Sequence, residues 1–111
     1  MSLDSAARSG SAVERLSAAE ARRRLEHERS TRLAQLQAVD EASGGGPQAD
    51  DLQIVQRGAI EQALKEIDAA FARLQQGTYG ICQVCGRPIP VERLEILPYA
   101  RCCVPCQQRA G

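Results

Sequence analysis

The five cysteines of this 111-residue chain all lie between positions 82 and 106, and they are the residues best suited to chemistry. Cys82-Gln83-Val84-Cys85 is followed, after 17 residues, by Cys103-Val104-Pro105-Cys106. Two residues between thiolates let one tight turn present both sulfurs to a tetrahedral ion at about 2.3 Å. The separation of the two pairs falls within the range of four-cysteine zinc sites. Gly86, just after the first pair, can take the positive φ that such a knuckle often needs. The reading is therefore one zinc ion held by Cys82, Cys85, Cys103 and Cys106, against the alternatives of a redox dithiol or free thiols. Four thiolate corners leave no position for water, so the ion is a structural staple and not a catalyst. Cys102 is the surplus thiol. Adjacent residues cannot easily both point into one tetrahedron, so Cys102 reads as a small buried hydrophobe, the alternative being a spare ligand or redox sensor.

Elsewhere the chemistry is thin. His27 is the only histidine and lies among charged residues with no recognisable partner, so it reads as a solvated surface residue. Arg22, Arg23 and Arg24 are interleaved with Glu20, Glu26 and Glu28 and read as a solvated face. No nucleophile–base pair can be assembled, which argues against an enzyme. Lys and Arg total 14, as do Asp and Glu, so no global charge draws the chain to nucleic acid or anionic lipid. No apolar run approaches the ~20 residues of a membrane span, and the opening "MSLDSAARSGSAVERL" has no apolar signal-peptide core. The expected location is cytoplasmic, where reducing conditions favour metal ligation over disulfides.

The elements that must position the cysteines divide the chain in three. Residues 1–16 read as a flexible arm. Residues 17–76 read as a helical hairpin with its tip at about 41–51, and residues 77–111 as a zinc finger with a short C-terminal helix. Ser17 and Glu20 form an S-x-x-E capping box opening a first helix over 18–40. Glu20/Arg24 and Glu28/Arg32 stand four apart and support its exposed face. "EASGGGPQ" breaks it. A second helix starts near Asp50 or Asp51 and ends at Gln76, with Gly77 as its C-cap. Ile60, Leu64, Ile67, Phe71 and Leu74 recur at 4-3-4-3, a coiled-coil seam. Two narrow-striped helices with a short loop pair antiparallel, and about 26 residues make a rod of ~39 Å. The finger cannot bury enough apolar surface alone and needs the metal to fold. The fold class is mainly α: an antiparallel two-helix coiled-coil hairpin followed by a small four-cysteine zinc finger.

A hairpin leading into "GTYGICQVCGRPIPVERLEILPYARCCVPCQ" resembles the DksA/TraR family of zinc-finger transcription regulators. The resemblance rests on Tyr79-Gly80-x-Cys82-x-x-Cys85-Gly86, Ile89, Arg93-Leu94, Pro98-x-Ala100 and Cys103-x-x-Cys106, and covers residues 50–108. It implies a protein that binds RNA polymerase and inserts its hairpin into the secondary channel, near the catalytic magnesium; the chain is itself expected to be a monomer. The resemblance also implies that the finger helps orient the hairpin against the polymerase rim. A nucleotide alarmone acts with some members. Neither a membrane nor sequence-specific DNA is an expected partner. Such members carry an Asp-x-x-Asp-x-Ala pattern at the tip. Here the tip reads "VDEASGGGPQADDLQ", so Asp40, Glu41, Asp50 and Asp51 are the acidic candidates for partner contact. The alternatives are a zinc-ribbon nucleic-acid binder, favoured by Arg87, Arg93, Arg101 and Arg109 in the finger, and a coiled-coil adaptor.

Overall fold

The computed structural model describes residues 16–42 and 51–110. Four helices follow in order: α1 (Ala18–Ala42), α2 (Asp51–Gln76), α3 (Val91–Ile96) and α4 (Val104–Ala110). No helix among the described residues is long and apolar enough to cross a membrane.

Ser17 opens α1. Its Oγ accepts the Glu20 N–H at 3.1 Å, and its carbonyl accepts the Ala21 N–H at 2.9 Å. Half of the capping box is thus made. The Glu20 carboxylate turns instead to Arg23 and, at 3.1 Å, to Nε of Arg24, because two guanidiniums one turn on outcompete a single amide. The Arg23 hydrogen bond is the main reason the Glu20 carboxyl is held below its usual range. The helix runs two residues past the expected 40, so Asp40 and Glu41 lie in its last turn.

Two exposed ion pairs mark an antiparallel register between α1 and α2. Arg57 pairs with Asp40, and Arg29 with Asp68 at 3.1 Å. Between the pairs α1 steps back eleven residues (40 to 29) while α2 advances eleven (57 to 68), so the helices run in opposite directions without slippage. The buried line of α2 is Ile60, Ala63, Ile67 and Ala70, of which the last three pack with Leu25 of α1; Ala21 is the other buried residue of α1. Leu64, Phe71 and Leu74, expected in the seam, are only half-buried beside it. The small alanines occupy the closest approach and displace the larger side chains to the flanks. Further out the rod is wetter: Leu33 is exposed, and Leu36 and Val39 are half-buried.

The end of α2 is set by Gly77 at φ 80°. The Thr78 N–H reaches the Arg73 carbonyl at 2.9 Å and the Gly77 N–H the Leu74 carbonyl at 3.3 Å. This pair of bonds is the Schellman motif, which requires a left-handed residue at that position. The chain then turns into the finger, where an isolated bridge joins Ile81 and Pro88.

Two apolar clusters result. One, inside the finger, contains Cys82, Ile89, Leu94, Ala100, Cys102 and Cys106. The other lies in the hairpin base and contains Leu25, Ala63, Ile67 and Ala70, but also Tyr99 from the finger. Tyr79 and Leu97 pack against both. The finger is joined to the rod by shared side chains.

Candidate metal centre and its base

The first knuckle forms because Gly86 adopts φ 76° and sends its N–H back to the Cys82 carbonyl at 3.0 Å. That turn aims the Val84 and Cys85 amides at the Cys82 sulfur, at 3.4 and 3.5 Å. The second pair is brought over by the Gln83 N–H, which donates to the Arg101 carbonyl at 2.9 Å. Cys103 precedes α4 and Cys106 lies in its first turn; the Gln107 N–H closes on the Cys103 carbonyl at 2.9 Å.

The sulfurs of Cys82, Cys85, Cys103 and Cys106 all lie within 4.8 Å of one another. Cys85 and Cys103 are 3.8 Å apart. A regular tetrahedron with zinc–sulfur bonds of ~2.3 Å has edges of ~3.8 Å, so the arrangement fits one zinc ion. Charge points the same way. The Cys85 amide, more than any other contact, holds the Cys82 thiol down to about 5. Cys106 is pushed up to about 12: the Arg109 guanidinium, 3.3 Å from its sulfur, pulls the thiol down, but hydrogen bonds with the neighbouring thiols and burial outweigh it. One thiolate is favoured and a second is resisted, a conflict that a dication removes. All five cysteines are free of disulfides.

Cys102 stands apart from the four. It is buried in the finger core, and burial pushes its thiol up. Its carbonyl accepts Nε of Arg93 at 3.1 Å. Both features agree with a packing role.

The other expected site residues scatter. Asp40 pairs with Arg57, which also meets Glu61 at 3.4 Å. Glu41 accepts Nε2 of Gln37 at 3.3 Å. Asp51 is exposed at the start of α2, and Asp50 lies outside the described residues. His27 is exposed. Of the four finger arginines, Arg93 and Arg109 are spent on Cys102 and Cys106, which weakens the basic face a nucleic-acid binder would need.

Two residues at the base escaped the sequence reading. Tyr99 is 8% exposed, its phenol accepting Nη2 of Arg32 and its carbonyl Nη2 of Arg73, both at 3.4 Å. Arg73 is itself 6% exposed. The available signal was phase: Arg73 follows Ile60, Ala63, Ile67 and Ala70 on the buried face of α2. Tyr79 completes the joint by donating its hydroxyl to the Pro98 carbonyl at 2.7 Å, and burial raises its phenol to about 12.

Comparison with known proteins agrees with this geometry. Residues 77–110 match the model of the prokaryotic dksA/traR C4-type zinc finger. General stress protein 16O of Bacillus subtilis is 46% identical over 46 residues, 41% of this chain and 28% of that protein. The RNA polymerase-binding transcription factor DksA of Caulobacter vibrioides is 36% identical over 58 residues, 52% of this chain and 41% of that protein. An uncharacterized 8.5 kDa protein in the gpA 5′ region of Escherichia phage 186 is 33% identical over 60 residues, 54% of this chain and 80% of that protein. The chain thus spans less than half the length of the first two relatives and most of the third. With the finger motif, the four clustered thiols and the preceding helical hairpin in place, the chain belongs to the DksA/TraR C4-type zinc-finger family.

Proposed function

We propose that this protein is a cytoplasmic, monomeric transcription regulator that binds RNA polymerase and presents its hairpin to the secondary channel. The carrying observation is the joint: the finger shares Tyr79, Leu97 and Tyr99 with the base of the hairpin. On this reading Cys82, Cys85, Cys103 and Cys106 hold one structural zinc. The zinc fixes the finger, the finger fixes the direction of the rod, and ~39 Å of helix carries the tip away from the docking surface. The related Caulobacter protein is named for polymerase binding, which supports the reading. No chemical step is assigned to this chain, since a four-thiolate zinc leaves no open position.

The test is interferometry with immobilised zinc-loaded protein and core RNA polymerase, followed by transcription on a supercoiled template. Saturable binding with a changed transcript yield is expected. Absence of polymerase affinity, with DNA binding that weakens steeply as salt rises, would replace this reading by a nucleic-acid one.

A further inference from the structure

Arg73 is the one charged side chain buried among the described residues. A buried charge is costly unless paired, yet no ion pair joins Arg73 to a carboxylate of the described residues. One Nη2 bond to the Tyr99 carbonyl is made, and Nε has no hydrogen-bond partner there. The thiol cluster does not supply the missing charge, since Arg109 is the guanidinium that lies on its sulfur.

Arg73 lines a groove of about 290 Å³ between α2 and the finger. Lys65 and Arg101 stand on its walls with the amides of Gln62 and Gln83, and Glu66 is its one acid. Glu66 is engaged by Nε2 of Gln62 at 3.2 Å. Three cations against one anion leave the groove positive by two. Its donors suit an oxyanion, and the planar fork of a guanidinium can hold a carboxylate through two hydrogen bonds, as it can a phosphate. The groove offers no open ring face for a base to stack on, since Tyr99, its one aromatic, is buried with the hairpin core.

We infer that this groove receives an acidic side chain of a protein partner, its carboxylate completing the charge of Arg73 between Lys65 and Arg101. That the partner is RNA polymerase rests on the function proposed above; the groove's preference for a protein carboxylate does not.

Two experiments separate the claims. In the first, NMR follows the Arg73 Nε–H and the Gln83 side-chain amide of the full zinc-loaded protein during titration with tetraglutamate, and separately with inorganic phosphate and guanosine monophosphate. Saturable shifts with tetraglutamate on the order of millimolar are expected, as for a single partly solvated contact. They should disappear in the double variant Lys65→Glu/Arg101→Glu, whose wild-type side chains are exposed, so folding is spared. No shift with any probe would overturn the inference and leave Arg73 as a strut for the Tyr99 carbonyl. Saturation by phosphate or the nucleotide at about tenfold lower concentration would overturn it in favour of a small-anion site. In the second, the double variant should bind core polymerase about tenfold more weakly and with a shallower salt dependence, while Arg22→Glu binds normally. Equal polymerase binding by wild type and double variant would overturn polymerase as the groove's partner. If wild type itself lacks polymerase affinity, the functional reading fails, and the tetraglutamate titration alone decides the groove.

Discussion

The Tyr99 carbonyl lies 3.4 Å from Nη2 of Arg73, so a residue between the two metal-binding pairs is tied to the buried face of α2. From the other side, Arg32 of α1 reaches the Tyr99 hydroxyl at the same distance. A single finger residue therefore touches both helices of the rod while its ring fills their shared base. Orientation of the hairpin relative to the finger therefore rests on this residue as well as on the turn through Gly77.

Replacing Tyr99 tests that dependence. Tyr99→Phe removes one long hydrogen bond from a half-buried arginine that water can still reach, and should cost no more than about 1 kcal/mol. Tyr99→Ala opens a cavity shared by finger and hairpin and should cost about 3 kcal/mol or more. It should also give two unfolding transitions, one for the finger and one for the rod, where the wild type is expected to give one. Residual dipolar couplings would show the two parts aligned independently. An unchanged unfolding curve for Tyr99→Ala would remove the joint from the account.

The core of the rod makes a second comparison. Ile67 is fully buried, whereas Phe71 is half-buried despite its size. Ile67→Ala should therefore cost about 3 kcal/mol, and Phe71→Ala about 2 kcal/mol, less than the usual penalty for a buried aromatic. Urea unfolding of the two variants gives the order directly. A costlier Phe71 would restore the 4-3-4-3 seam expected from the sequence.

Much of this architecture is legible in local sequence, and the exceptions share a cause. The span of α2, the Ser17 cap, the Gly77 stop and the Gly86 knuckle each depend on residues a few positions apart. The zinc cysteines are legible because their spacing carries the geometry. Tyr99 is not, since it is buried among residues of both helices far away in the chain, and Arg73 shows only in its phase along α2, which its charge masks. The seam shifted because alanines set how closely the helices approach, and a scale that rewards large apolar residues looks past Ala63 and Ala70. Helix α3 is only six residues long, too short to show a period.

Metal retention should depend on pH in a definite direction. In the metal-free protein the Cys82 thiol sits at about 5, below an ordinary thiol. Its contribution is therefore full above the ordinary value of about 8.5 and is lost as pH falls through about 5. The Cys106 thiol, at about 12, works the opposite way, contributing below the ordinary value and losing that contribution as pH rises. Zinc overrides the second effect by holding all four sulfurs as thiolates, so the loaded protein should be limited on the acid side alone. Release to a chromophoric chelator should occur on the acid side of neutral, from one zinc per chain. Full release already at pH 7 would contradict the assigned geometry.

Cys102 should be dispensable for the metal. It lies outside the four-sulfur cluster and packs with Ile89 and Leu94. Cys102→Ala should keep one zinc per chain while lowering stability by about 1 kcal/mol, the transfer of a small buried group. Loss of zinc from this variant, with Cys103→Ala retaining it, would reverse the assignment of the two thiols.

On the proposed function, the hairpin tip should decide whether polymerase binding becomes regulation. Asp40 and Glu41 lie in the last turn of α1, where the helix dipole disfavours acids, and Asp40 is already neutralised by Arg57. Changing them to Asn and Gln should cost less than about 1 kcal/mol, since exposed pairs contribute little. Asp51 is different: it is exposed in the first turn of α2. Its carboxylate is free to act on a metal or a cation at the far end of the rod, and oxygen ligands suit magnesium. Of the two paired variants, Asp40/Glu41 and Asp50/Asp51, each changed to Asn or Gln, the second should abolish the effect on transcription. Both should bind polymerase within about twofold of wild type, because the docking surface assigned above lies at the base, and Asn at an N-terminal position keeps the helix capped. Loss of effect in the first pair alone would mean that Arg57 releases Asp40 on binding. If neither variant differs from wild type, tip acidity has no part in the mechanism, and any regulation comes from occupancy of the channel by the rod.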